Sequence, residues 1–118
     1  GSHLTDKWKF MVPFYGENVP RNIMARNFAE GLRGGPKAHW GHQAAFNYDL
    51  KKTQPIIDKP ILIVNPNDDL YLQTPRGLKY SQNAILYTIK KYGHGFIDLM
   101  TEEFSDRIRK FLDFQDPI

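Results

Sequence analysis

"KPILIVNPNDD", residues 59–69, holds Ile61-Leu62-Ile63-Val64 directly after Pro60. A run that is apolar at every position, rather than at alternate ones, predicts a strand covered on both faces, the habit of parallel sheets. The next apolar run, "AILYTIKKYGHG" at 84–95, sets Ile85, Tyr87 and Ile89 in alternation with Leu86 and Thr88 and predicts a second strand. Between them "TPRGLKYSQNA", 74–84, offers a short helix or turn with Pro75 near its start. After them comes "FIDLMTEEFSDRIRKFLDF", 96–114. Its Phe96, Leu99, Met100, Phe104, Ile108, Phe111 and Leu112 follow three-four spacing, with acids early and Arg107, Arg109 and Lys110 late, as a helix dipole prefers. Strand, helix, strand, helix predicts an α/β unit whose two strands are parallel with a right-handed crossover.

Upstream of Asp58 the character changes to glycines, prolines and short helical patterns. "KFMVPFYG", 9–16, is apolar but broken by Pro13 and reads as extended or loop. "NVPRNIMARNFAEGLRGG", 18–35, predicts a helix capped by Asn18, with Pro20 in its first turn. Met24, Phe28 and Leu32 share one face, and Gly34-Gly35 ends it. "PKAHWGHQAAFNYDL", 36–50, predicts a second helix with Trp40, Ala44 and Tyr48 on one face. The domain division is therefore a helical layer at 4–57 and a βαβα unit at 58–118; Gly1-Ser2-His3 reads as a tag scar and is set aside.

With 118 residues the chain is one modest domain or a piece of a larger one. A hydrophobic share of 41% and a charged share of 25% suit a chain that builds a core and argue against intrinsic disorder. No apolar run is long enough to cross a bilayer, so no membrane role is expected. The absence of cysteine excludes disulfides and thiolate metal sites and suits a cytoplasmic protein. Net charge is +3, with +4 on residues 1–53 and −1 on 54–118. Basic residues nowhere cluster with aromatics along one face, so a solvated surface is expected and nucleic acid is not a partner.

Chemistry is carried by the strand ends. Asp68-Asp69 follows the first strand and His94, between Gly93 and Gly95, follows the second. In a parallel sheet the carboxyl ends of neighbouring strands lie side by side, about 4.8 Å apart, and ligands bind there. An Asp at one tip can therefore hold the imidazole at the next, fixing its tautomer and stabilising the imidazolium. Turn chemistry favours Asp at such positions by itself, and either Asp68 or Asp69 satisfies the spacing. His39 and His42 stand three apart, a spacing that can ligate a metal, yet no third ligand completes the set, so no metal site is expected. Trp40, Phe46 and Tyr48 read as core packing first and as pocket lining second; Tyr71, just past the acid turn, could face the site.

"KPILIVNPNDDLYLQTPR", then "NAILYTIKKYGHGFIDL", then a terminal amphipathic helix, resembles the last two strands and last helix of an α/β-hydrolase, over roughly residues 58–113. In that family a strand opening with proline ends in a glycine-x-x-aspartate turn, the final strand ends in glycine-histidine, and the acid precedes the histidine. The resemblance assigns the acid to Asp69, with Pro66 where the turn glycine usually stands, and the histidine to His94. It likens residues 4–57 to the helical cap that many members insert. It implies the acid and histidine of a nucleophile–His–acid triad, no cofactor, and hydrolysis of an ester, amide, epoxide or carbon–carbon bond in a small apolar or ester-like substrate. No G-x-S-x-G stands in the chain; Ser81 and Ser105 lie at no strand-to-helix elbow. The nucleophile is thus expected outside this sequence, in the missing N-terminal half of the intact protein, and the chain alone is expected to be inactive. The alternative is a non-catalytic interaction module or pseudoenzyme built on an incomplete hydrolase fold. In either case two parallel strands leave ladder groups unpaired, so the sheet is expected to be completed by that half, by another polypeptide or by self-association.

Overall fold

The computed structural model describes residues 1–115, so the last residues of the 58–118 unit lie outside the described part. Strands β1 (Ile61–Pro66) and β2 (Ala84–Ile89) pair in parallel, in register from Ile61 opposite Ala84 to Pro66 opposite Ile89. Helices α1 (Ser2–Met11), α2 (Arg21–Arg33), α3 (Trp40–Asn47) and α4 (Leu50–Thr53) precede them, and α5 (Phe96–Leu99) and α6 (Thr101–Gln115) follow. The link between the strands is a 3₁₀ segment, Thr74–Tyr80. The fold is mixed α/β with two parallel strands, as the sequence predicts.

Side chains alternate along a strand, and parallel partners in register share a face. Tyr87 therefore marks one face, and α6 packs there. The Tyr87 ring stacks on Phe104 with centroids 6.4 Å apart, and the Arg107 guanidinium lies 5.3 Å from the Tyr87 ring centre. The Tyr87 hydroxyl donates to Glu103 Oε1 at 3.3 Å. Ile63 marks the other face, where Gly77 of the 3₁₀ link comes so close that a Cβ on it would stand 3.1 Å from Ile63 Cδ1. Gln54, buried, donates to the Gly77 carbonyl at 2.9 Å and ties the end of the helical layer to that link.

Both faces thus carry an element, but the cover is partial. Ile61 to Val64 are only half-buried, which corrects the expectation of a strand enclosed on both sides. One 3₁₀ turn and one helix cannot cover a sheet whose outer edges are both open.

The main core is built instead around residues 8–28. "KFMVPFYG" is helical, not extended: α1 runs to Met11 and a 3₁₀ turn, Val12–Tyr15, follows. Pro13 occupies the opening of that turn, where a missing N–H leaves nothing unsatisfied. Tyr15, Val19 and Met24 are buried, with Trp8, Met11, Val12, Ile23, Tyr92 and Leu99 packed around them. Trp8 meets Phe28 edge-on at 5.4 Å, joining α1 to α2. Burial of this apolar set, not strand propensity, decides the conformation. Gly1-Ser2-His3, set aside as a scar, opens α1; the Leu4 and Thr5 amides donate to Gly1 O.

Four further expectations change. The cap of α2 is Pro20, while Asn18 sits in a turn at φ 61°, a conformation Asn tolerates well. The single helix expected at 36–50 is broken into a 3₁₀ turn at Gly35–Lys37, α3 and α4, the break falling at Tyr48, whose backbone is extended. Every residue from 29 to 52 is exposed, so Trp40 (57%), Phe46 (77%) and Tyr48 (58%) are not core. The last helix is interrupted at Met100, φ −138°, where the Thr101 hydroxyl donates to Ile97 O at 2.6 Å.

Phe104 holds α6 to the sheet through Tyr87 and meets Phe96 edge-on at 5.0 Å. Because it is half-buried, Phe104→Ala is expected to cost about 2 kcal/mol in a urea titration, below the range of a fully buried aromatic. Burial, and next the Glu103 carboxylate, hold the Tyr87 hydroxyl above its usual pKa of 10.0. The folded chain then keeps this proton more tightly than the unfolded chain. The resulting stability is complete below the unfolded value and is lost as pH rises through the folded one. Tyr87→Phe is expected to flatten the alkaline fall in stability, read as urea midpoints at about pH 8 and about pH 11.

Candidate active site

The site forms where the two strands end. Past Pro66 the chain is pinned to the segment after β2 by Asn67, whose amide donates to Tyr92 O at 2.9 Å and whose side chain donates to Lys90 O at 3.2 Å. The acid turn follows at once. Asp68 closes it locally, its Oδ1 accepting the Leu70 amide at 2.9 Å. Asp69 is left to point outward, and its Oδ1 lies 3.0 Å from His94 Nε2. The two strand tips therefore bring together the pair that the sequence singles out, and of the two aspartates it is Asp69 that touches the imidazole.

His94 stands where it does because its neighbours are glycines. A Cβ on Gly93 would collide with Phe14 O and stand 2.6 Å from Asn67 O. No other residue allows that approach. Gly95 has φ +87°, the left-handed region, and packs against the Tyr15 ring. The Gly93 amide donates to Tyr15 O at 3.2 Å and the His94 amide to Phe14 O at 2.7 Å. The Phe14 and Tyr15 rings lie 5.9 and 5.8 Å from the imidazole, centre to centre. These two residues are part of the site and the sequence reading passed over them. The signal was present: two adjacent aromatics between Pro13 and Gly16, which no solvated loop needs. Arg26 adds a second tie between the helical layer and the rim, 2.7 Å from Asp98 Oδ2.

Asp69 and His94 each leave 47% of the side chain exposed. Water competes for both, so the contact is worth at most about 1 kcal/mol of stability. Its effect is orientation. With the carboxylate accepting from Nε2–H, the Nδ1 lone pair has no partner among the described residues and is left for proton transfer. Compared with the usual serine-protease triad, in which Nδ1–H meets the acid, the two ring nitrogens exchange roles.

Asp68, Asp69 and His94 each place a donor atom within 4.8 Å of the others and form the cluster of metal-ligating groups among the described residues. His39 and His42 belong to no such cluster. Tyr71 is held beside the acid turn by its amide, which donates to Asp68 O at 3.2 Å. Phe46 and Tyr48, with Leu50, Ile61, Ile63 and Leu70, line an open groove of about 910 Å³ that reaches the residue after Asp69 but not the pair itself. Among the described residues no helix is long and apolar enough to cross a membrane.

Gly93→Ala is expected to cost about 3 kcal/mol or more, since two backbone carbonyls must move, and to free Phe14 from the imidazole. Asp69→Asn is expected to leave stability within about 1 kcal/mol but to weaken the preference for the Nε2–H tautomer, read from imidazole ¹⁵N shifts. No protein-family model, curated protein or solved structure matches the chain, so the functional reading rests on its residues and their geometry.

Proposed function

We propose that this chain supplies the acid and the histidine of a hydrolase of the α/β-hydrolase kind. His94 is the general base and then the general acid; Asp69 is its positioning partner. The observation that carries the reading is the 3.0 Å contact between Asp69 and His94 across two neighbouring strand tips. His94 takes the proton of a nucleophile at Nδ1, Asp69 stabilises the imidazolium, and the proton then passes to the leaving group. The nucleophile belongs to a polypeptide outside residues 1–118, since no serine here stands at an elbow. Residues 4–57 act as the cap. Phe14 and Tyr15 already pack on the imidazole, and the exposed Phe46 and Tyr48 line the nearby groove, which suits a small apolar or ester-like substrate.

The chain alone is expected not to hydrolyse p-nitrophenyl butyrate. Co-expressed with a polypeptide carrying a nucleophile elbow that completes its sheet, it is expected to gain esterase activity. In that assembly His94→Ala should lower the rate by about 10⁴-fold and Asp69→Asn by about 10²–10⁴-fold. Activity that ignores His94→Ala, in the assembly or in the chain alone, contradicts the proposal.

A further inference from the structure

The surface of the molecule is too large for its mass. At 13.7 kDa a compact monomer exposes about 6,600 Å², whereas this chain exposes 9172 Å². Its radius of gyration is 16.6 Å, against about 13.5 Å for a compact domain of this length. The excess, about 2,600 Å², is more than three times what one partner contributes to an ordinary interface, about 800 Å².

The sheet shows where part of that excess belongs. The Ile61 amide donates to Asn83 O and the Asn67 amide to Tyr92 O, so the odd-numbered residues of β1 turn their backbone groups toward β2. Leu62 and Val64 turn theirs outward. The next outward positions are Pro60 and Pro66, which have no N–H to offer. The free edge is therefore a short window of two donors closed by a proline at each end. No charge lies between Pro60 and Asn67 to guard it, whereas Lys90 and Lys91 follow β2 directly.

We infer that this edge binds a second copy of the chain, β1 against β1 about a two-fold axis, giving a four-stranded sheet. This inference does not rest on the catalytic reading. One antiparallel register satisfies the window completely. Leu62 pairs with Val64 of the second copy, each amide donating to the other's carbonyl, and the two-fold repeats the pair. The prolines fall opposite each other, where no donor is required. Ile63 then faces Ile63 of the second copy in a non-hydrogen-bonded pair, with Cα atoms about 4.5 Å apart. Across this seam the Leu62–Val64 and Ile63–Ile63 pairs are apolar, which suits sheet pairing, and Ile61 meets Asn65.

The chain has no cysteine, so any disulfide in a single-cysteine variant joins two chains. Ile63→Cys is expected to oxidise to a disulfide-linked dimer, because about 4.5 Å lies within the disulfide range. Leu62→Cys, two positions out of register with itself, is expected to stay largely reduced. The unaltered chain should sediment at twice its monomer mass at ~100 µM. Should Ile63→Cys fail to fold, amide exchange in the unaltered chain replaces it: protection of Leu62 and Val64 should fall at least tenfold on dilution to monomer, while Ile63 and Asn65 stay protected. Four results overturn the inference: a monomer at that concentration, open polymers from β1-to-β2 pairing, a dimer whose Leu62 and Val64 amides are unprotected, or a chain that associates only when an upstream polypeptide is co-expressed. The first three say nothing of hydrolysis and the fourth is the assembly that the catalytic reading expects, so failure here and failure of the catalytic reading are distinguishable.

Discussion

The backbone at Gly93 is the point on which the molecule closes. Phe14 O comes from the 3₁₀ turn after α1, Asn67 O from the segment after β1, and both press on the Cα of a residue that follows β2. Three stretches remote in sequence thus share one contact that only a residue without a side chain permits. Around it run amide bonds from Gly93 to Tyr15, His94 to Phe14 and Asn67 to Tyr92. Each uses a backbone group that would otherwise be left unpaired in a half-buried crevice. Because the same junction holds the acid turn and the histidine, the candidate site is as rigid as the closure itself.

That arrangement explains why an exposed hydrogen bond can matter without contributing much stability. Asp69 and His94 are both wet, and their attraction is weak against water. Their separation is set by the strand register and by the Gly93 junction, so the carboxylate has only to choose which nitrogen keeps the proton. Geometry supplied by the fold and tautomer supplied by the partner are what acid–base chemistry requires.

Energy is distributed unevenly. Apolar burial concentrates where α1, the 3₁₀ turn and α2 meet Tyr92 and Leu99, while the sheet is thinly covered and residues 29–52 are all exposed. Two buried polar atoms, Asn65 Oδ1 in β1 and Arg107 Nε in α6, lack partners among the described residues. Both belong to the elements left half-covered, and each unmade bond costs about 1–3 kcal/mol.

Local pattern was enough for the elements of the back half, though not for the half-open faces of β1 or the break at Met100. The continuous apolar run at 61–64, the alternation at 85–89 and the three-four spacing after Phe96 depend on neighbours close in sequence, and they specify two parallel strands, a helix and the tips that carry Asp69 and His94. The contact between the candidate pair was legible for the same reason, since adjacent strand ends are adjacent in space. The front half was not. "KFMVPFYG" carries a proline and three aromatics, and whether it is extended or helical depends on what buries Tyr15, which is α2 and the chain after β2. Trp40, Phe46 and Tyr48 have the spacing of a buried face, but spacing cannot supply the surface that would bury them. The choice of Asp69 over Asp68 turned on a single amide, that of Leu70, which takes one carboxylate for the turn and leaves the other for the histidine. Periodicity reports which way side chains point; only the tertiary structure decides what meets them.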